Sequence, residues 1–273
     1  MPLVPSYIKN LSSYKPGLRI DDVKREKGLD RAIKLASNEN SMGPAPLAIA
    51  AIESAIKKVN RYPDSNGIAL RTKLAKKFDV KIENVIIGAG SEGIMSNILR
   101  TFLLGDDEIV AAANSFIGFR VLANSTGRSI HWVPMKNHRI DLGGITKKIN
   151  DYTKIIYIAN PDNPMGTYIT KEEFDEFYAH VPKRVLVILD EAYFEFAAHI
   201  EKYPDSMKYR YDNVITLRTF SKAYGLAGLR IGYGFSHETL INNLLKVKVP
   251  VSYTHLRAHE TLRYLVCRLL LEK

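Results

Sequence analysis

Lys222 follows the apolar run NVITLRTF and precedes a glycine-rich stretch, SKAYGLAGLR, that ends in Arg230. A lysine that loses hydration in a partly enclosed cleft deprotonates more easily, and its amine can then attack an aldehyde. Three more places set polar residues where an apolar run stops. VLVILDEAY delivers Asp190 to the end of such a run, with Tyr193 three residues later. A carboxylate there needs a partner, either a structural arginine or the protonated ring nitrogen of a ligand. NPDNPMG (160–166) follows KIIYIAN and holds the amide of Asn163 in a proline-stiffened loop. GAGSEG (88–93) follows NVIIG and opens a helical pattern, so the small residues Gly90 and Ser91 let backbone N–H groups meet an anion at a helix start. Taken singly, each feature also reads as plain structure, a lone surface lysine above all, an internal ion pair or a turn.

Together the four places answer the needs of one ligand. Lys222 suits an aldehyde, Asp190 a pyridinium nitrogen, and Ser221, Arg230 and the glycine-rich helix start a phosphate. Those groups combine in pyridoxal 5′-phosphate.

Such residues must be positioned by a sheet. Short Val/Ile runs predict strands at 84–88, 108–113, 129–134, 154–160, 185–190, 213–220 and 230–235, alternating with helical patterns. That is the signature of an α/β fold, a mainly parallel sheet with helices on both faces, whose ligands lie beyond the carboxyl ends of the strands. EGIMSNILRTFLL is predicted to bury Ile94, Met95, Ile98, Leu99, Phe102 and Leu103, with Ser91 as N-cap. Thr170 and Glu173 form a capping-box pair. Before residue 80 the pattern is an arm followed by two helices, one burying Leu47, Ile52, Ile56 and Val59, the next Leu70, Leu74 and Phe78.

With 273 residues, 46% hydrophobic and 25% charged, the chain has the composition of a folded globular protein. Its net charge of +10 is scattered along amphipathic segments, which argues against a nucleic-acid partner. The single cysteine, Cys267, excludes an internal disulfide and fits a reducing, cytoplasmic setting. No apolar run reaches the ~20 residues of a membrane helix, and no membrane partner is expected. HLRAHE, with His255, His259 and Glu260, lacks the order of a zinc-binding HExxH, so no metal is expected.

Six motifs in order, KLASNENSMGP, RYPD, GSEG, NPDNPMG, LDEAY and TFSKAYGLAGLRIGY, resemble those of the fold-type I pyridoxal-phosphate aminotransferases, in particular their histidinol-phosphate aminotransferase branch, from about residue 5 to about 250. The resemblance implies that Lys222 holds the cofactor covalently and later moves the proton, and that Asp190 keeps the ring nitrogen protonated. It implies that Asn163 and Tyr193 bind the ring's phenolic oxygen, that Phe116 stacks on the ring, and that Ser221, Arg230, Gly90 and Ser91 hold the phosphate. Tyr62 would reach the phosphate of the other subunit of a homodimer, and Asn38 would lie in the arm that closes over substrate. The implied reaction is amino transfer between glutamate and imidazole-acetol phosphate, giving 2-oxoglutarate and histidinol phosphate. An aromatic aminotransferase or an amino-acid-phosphate decarboxylase would keep the same cofactor residues, and a basic binding module or an inactive fragment is the alternative outside enzymes.

Ser41 and Met165 depart from the family's usual proline and threonine. The expected organisation is an arm (1–45), a cofactor-binding large domain (46–250) and a tail (251–273) that resembles a translated adapter artefact in place of the small C-terminal domain. The substrate-binding arginines of that small domain are then expected to be missing, and the chain as written is expected to fold poorly or to bind cofactor weakly.

Overall fold

A computed structural model describes residues 3–12, 17–209 and 211–249, so the expectations for Cys267, His255, His259, Glu260 and the 251–273 tail lie outside the described residues. The chain runs through α1 (Ser6–Lys9), α2 (Ile20–Lys27), α3 (Pro46–Ile56), α4 (Ile68–Phe78), β1 (Val85–Ala89), α5 (Gly90–Phe102), β2 (Glu108–Ala112), α6 (Ile117–Asn124) and β3 (Ile130–Val133). It continues through α7 (Leu142–Lys148), β4 (Thr153–Ala159), α8 (Lys171–Tyr178), β5 (Leu186–Asp190), α9 (Phe194–Ala197), β6 (Val214–Thr219), β7 (Ile231–Phe235) and α10 (Glu238–Val247). All seven predicted strands form. Their order is β1-β7-β6-β5-β4-β2-β3, and only β7 runs against its neighbours, antiparallel to both β1 and β6. The other six strands therefore send their carboxyl ends, and β7 its amino end, towards one edge that carries polar loops.

Apart from the half-buried edge strand β3, the strands are buried on both faces, which explains their continuous apolar runs. One face, carrying Ile86, Ile155, Tyr157, Ile188 and Leu217, packs against Ile94, Met95 and Ile98 of α5 and Ile241 and Leu244 of α10. On the other face Ile156, Ile158 and Val187 meet Ile145 of α7 and Phe174 and Phe177 of α8, while Val85, Ile87 and Tyr233 meet Leu70 and Leu74 of α4. Because successive side chains alternate, Asp190 shares a face with Ile188 and Tyr157, whereas Glu191 shares the opposite one with Val187.

Thr170 and Glu173 cap α8 reciprocally, at 3.2 and 2.8 Å. Ser91 is not an N-cap: β1 passes into α5 without a loop, the capping position falls on Ala89, and Ser91 lies inside the first turn. The stripe expected on α3 is also inverted. Its sequence, PLAIAAIESAI, is apolar nearly all round, and the small residues Ala48, Ala51 and Ala55 turn inward while Leu47 and Ile56 are exposed, as is Val59 just beyond the helix. The arm contains two short helices that the periodicity left unread. α2 buries no residue; Asp21 and Asp22 at its start, basic residues at its end and the left-handed Gly28 at its C-cap favour it locally.

Candidate active site

A cleft of about 530 Å³ opens where the polar strand ends meet. It is lined by Gly90 and Ser91 after β1, Phe116 after β2, Asn163 after β4, Asp190 and Tyr193 at and after β5, Ser221 and Lys222 after β6, and Arg230 before β7. The antiparallel strand matters here: running backwards, β7 presents its amino end, and hence Arg230, at the edge where its neighbours present their carboxyl ends.

The anion corner is built from backbone and cation. Gly90 opens the 13-residue α5 with φ 72, and its N–H donates to the carbonyl of Arg230 at 3.0 Å. A Cβ on Gly90 would stand 2.9 Å from Arg230 Nη2, so glycine is what lets the guanidinium approach the helix start. Arg230, itself left-handed at φ 51, donates from Nη1 to Ser221 Oγ at 3.5 Å and to the Ala227 carbonyl at 3.1 Å. Glu92 lies 3.8 Å from its Nη2, an exposed ion pair that competes weakly for the same cation. Thr219 Oγ1 donates to Ser221 Oγ at 3.0 Å and accepts from the Ser221 N–H at 3.1 Å, which fixes the serine.

Asp190 ends β5 only 4% exposed. Tyr157 donates its hydroxyl to Oδ2 at 2.8 Å; Oδ1 is buried and has no hydrogen-bond partner in the protein. Burial pushes the carboxyl up to about 6, with the Tyr157 hydroxyl and the Ala192 N–H pulling the other way and Glu92 and Glu191 adding to the rise. A buried carboxylate with one unsatisfied oxygen is unfavourable alone and well suited to a cationic N–H.

Lys222 stands 5.6 Å from the Tyr193 ring centroid, and burial lowers its amine below the ordinary lysine value of 10.5, opposed by the charge of Glu39. Its Nζ donates to the Ser37 carbonyl at 3.0 Å. Asn38 Nδ2 donates to Tyr193 Oη at 2.9 Å, so the arm reaches this end of the cleft. Asn40 Nδ2 adds a bond to the Ala223 carbonyl at 2.9 Å. Gly225, at φ 66, makes room: a Cβ there would overlap the Gly43 carbonyl.

Every predicted cofactor residue except Tyr62 lines the cleft; Tyr62 is fully exposed and lies outside it. Sequence reasoning missed Tyr157, whose hydroxyl is hidden in an apolar strand, and Ser37, which acts through a backbone carbonyl. It also missed the network on the opposite face. Arg218, fully buried, donates from Nε to Glu191 Oε2 at 2.9 Å and from Nη2 to Asp205 Oδ1 at 2.9 Å, its Nη2 lies 2.8 Å from Glu191 Oε2, and the guanidinium stands 3.3 Å from the Phe194 ring centroid. Glu191, next to Asp190, is thus tied to β6.

Among the described residues no His/Cys/Asp/Glu group is arranged to hold a metal, and no helix is long and apolar enough to cross a membrane.

Residues 30–262 match the family model described as aminotransferase class I and II. The histidinol-phosphate aminotransferase of Anaeromyxobacter sp. (strain Fw109-5) is 42% identical over 253 residues, 92% of this chain and 69% of that protein. Histidinol-phosphate aminotransferase 2 of Carboxydothermus hydrogenoformans is 41% identical over 256 residues, covering 93% and 71%. Among solved structures, histidinol-phosphate aminotransferase from Sinorhizobium meliloti in complex with pyridoxal-5′-phosphate superposes with a TM-score of 0.79 at 29% identity, over 100% of this chain and 74% of that one. By motif order, cleft geometry and extended sequence similarity, this chain belongs to the class I and II aminotransferases.

Proposed function

We propose that this chain carries out pyridoxal-phosphate-dependent amino transfer between glutamate and imidazole-acetol phosphate, giving histidinol phosphate and 2-oxoglutarate. The observation that carries the reading is the cleft in which Lys222, the half-satisfied Asp190 and the Gly90–Ser221–Arg230 corner converge. The extended similarity to histidinol-phosphate aminotransferases supports the choice of substrate.

Bound pyridoxal phosphate supplies an aldehyde and an electron-accepting pyridine ring. Asp190 Oδ1 is the free acceptor for the ring N–H, and a cation beside it favours the ionised carboxylate against the burial that raises it. Ser221, Arg230 and the backbone of Gly90 and Ser91 hold the phosphate; a dianion there adds the favourable field of the α5 start to the guanidinium charge. Asn163, Tyr193 and Phe116 line the same cleft, where the first two would bind the phenolic oxygen and Phe116 would cover the ring. Lys222, its amine lowered by burial, would hold the aldehyde carbon with loss of water and, once the substrate's amine has displaced it, would take the substrate's Cα proton. Asn38 closes the arm over this end of the site.

The same reading divides the chain into an arm (1–45) and a cofactor-binding domain (46–250), and assigns it to the cytoplasm as a homodimer. The outward apolar side of α3 and the exposed Tyr62 support a covering partner subunit.

The test is direct. Purified chain is loaded with pyridoxal phosphate, glutamate and imidazole-acetol phosphate are added, and 2-oxoglutarate is followed; borohydride reduction and peptide mass spectrometry then locate the cofactor. Turnover with the label on Lys222 is expected. Label on another lysine, or no 2-oxoglutarate, overturns the reading.

A further inference from the structure

Tyr157 and Asp190 lie on the same face of neighbouring parallel strands. Tyr157 is in register with Ile188, so the carboxylate two residues further on is its diagonal neighbour. The phenol ring is fixed: it is 1% exposed and stacks on Phe119 with centroids 3.8 Å apart and planes 6° from parallel. Its hydroxyl therefore has one place to go, Asp190 Oδ2, at 2.8 Å. Burial and the adjacent carboxylate push the phenol well above its ordinary value, so it remains a donor throughout the neutral range.

Resting on the cofactor reading above, we propose that Tyr157 is a positioning residue: its hydroxyl occupies one oxygen of Asp190 and reserves the other, Oδ1, for the ring nitrogen. A carboxylate with both oxygens free could rotate or take up a proton within the burial that surrounds it. One charge-assisted bond from a rigid ring opposes both. Other charged or titratable groups also act on Asp190: Glu92 from α5, Glu191 from the same strand end, Tyr193 beyond it and Lys222 after β6. Tyr157 differs from them in donating a hydrogen bond to the carboxylate from a ring held by packing on Phe119.

The experiment uses the full chain, with Tyr157→Phe as the variant, since it keeps the stacked ring and removes only the donor. Phe119→Leu is the packing control, which disturbs the stack and keeps the hydroxyl. The Asp190 carboxyl is titrated by ¹³C NMR without cofactor, and the dissociation constant for pyridoxal phosphate is measured by equilibrium dialysis. In Tyr157→Phe the Asp190 midpoint should rise by about one pH unit and the dissociation constant by about tenfold, the worth of one lost charge-assisted bond. Phe119→Leu, which keeps the donor, should move the midpoint by clearly less than Tyr157→Phe does. An unmoved midpoint in Tyr157→Phe, a moved midpoint with unchanged cofactor affinity, or an equal shift in Phe119→Leu overturns the proposal. Unmodified chain that binds no pyridoxal phosphate overturns the cofactor reading first and the proposal with it.

Discussion

The side-chain amine of Lys222 donates to the backbone carbonyl of Ser37, 3.0 Å away and 185 positions earlier in the chain. The arm and the loop after β6 are thereby joined at the lysine's nitrogen, within surroundings whose burial lowers the amine's pKa. A lowered value makes the neutral amine available at lower pH. Covalent trapping of pyridoxal phosphate at Lys222, followed by borohydride and mass spectrometry across pH, should therefore reach half its maximum below 10.5. A midpoint at or above that value would contradict the burial of this nitrogen.

Asp190 ties stability to pH. Its folded value of about 6 lies above the ordinary 3.8, so the fold favours the protonated carboxyl, and stability should fall as pH rises from about 4 to about 6. The gap is worth about 3 kcal/mol at 1.36 kcal/mol per pH unit. Without cofactor, Asp190→Asn should equal the unmodified chain near pH 4 and exceed it by up to about 3 kcal/mol above pH 6, as read by urea unfolding. A constant difference across that range would remove Asp190 as the source.

Gly225 is the hinge of the arm contact. Gly225→Ala meets two obstacles, a left-handed φ of 66 that disfavours a Cβ by about 1–2 kcal/mol and an overlap with the Gly43 carbonyl. Lower thermal stability is expected, with faster amide exchange through residues 37–44 as the arm lifts. An unchanged exchange rate would show that the arm does not depend on this approach.

Opposite the cleft, Arg218 and Glu191 form a buried pair with Asp205. Removing either partner strands a buried charge, so Arg218→Ala and Glu191→Ala should each lose about 3–5 kcal/mol. The double replacement should lose clearly less than the two added together. Strict additivity in urea unfolding would mean that the pair carries no coupling.

The sheet was readable in the sequence because parallel strands buried on both faces leave uninterrupted Val/Ile runs, and the cleft because its polar residues end those runs. What escaped reading depends on relations across strands. Tyr157 looks like core until register sets it diagonal to Asp190, and Arg218 inside VITLRT looks misplaced until Glu191 is seen on the same face. Ser37 contributes a carbonyl, which no residue type reveals. The inverted stripe of α3 has another origin: a helix apolar nearly all round gives no phase, and close packing selected its alanine side.

The reversal of β7 also sets a schedule. Val85 pairs with Phe235 and Ala89 with Ile231, so among the described residues β1, made early, has its only sheet partner in β7. On a ribosome, β2 to β6 can pair as they emerge, whereas β1 waits until residue 235 has left the exit tunnel. The corner proposed for the phosphate, made of Gly90 from one end of that wait and Arg230 from the other, is then the last part of the cleft to exist, and on that proposal a nascent chain gains its grip on the cofactor only when the sheet closes.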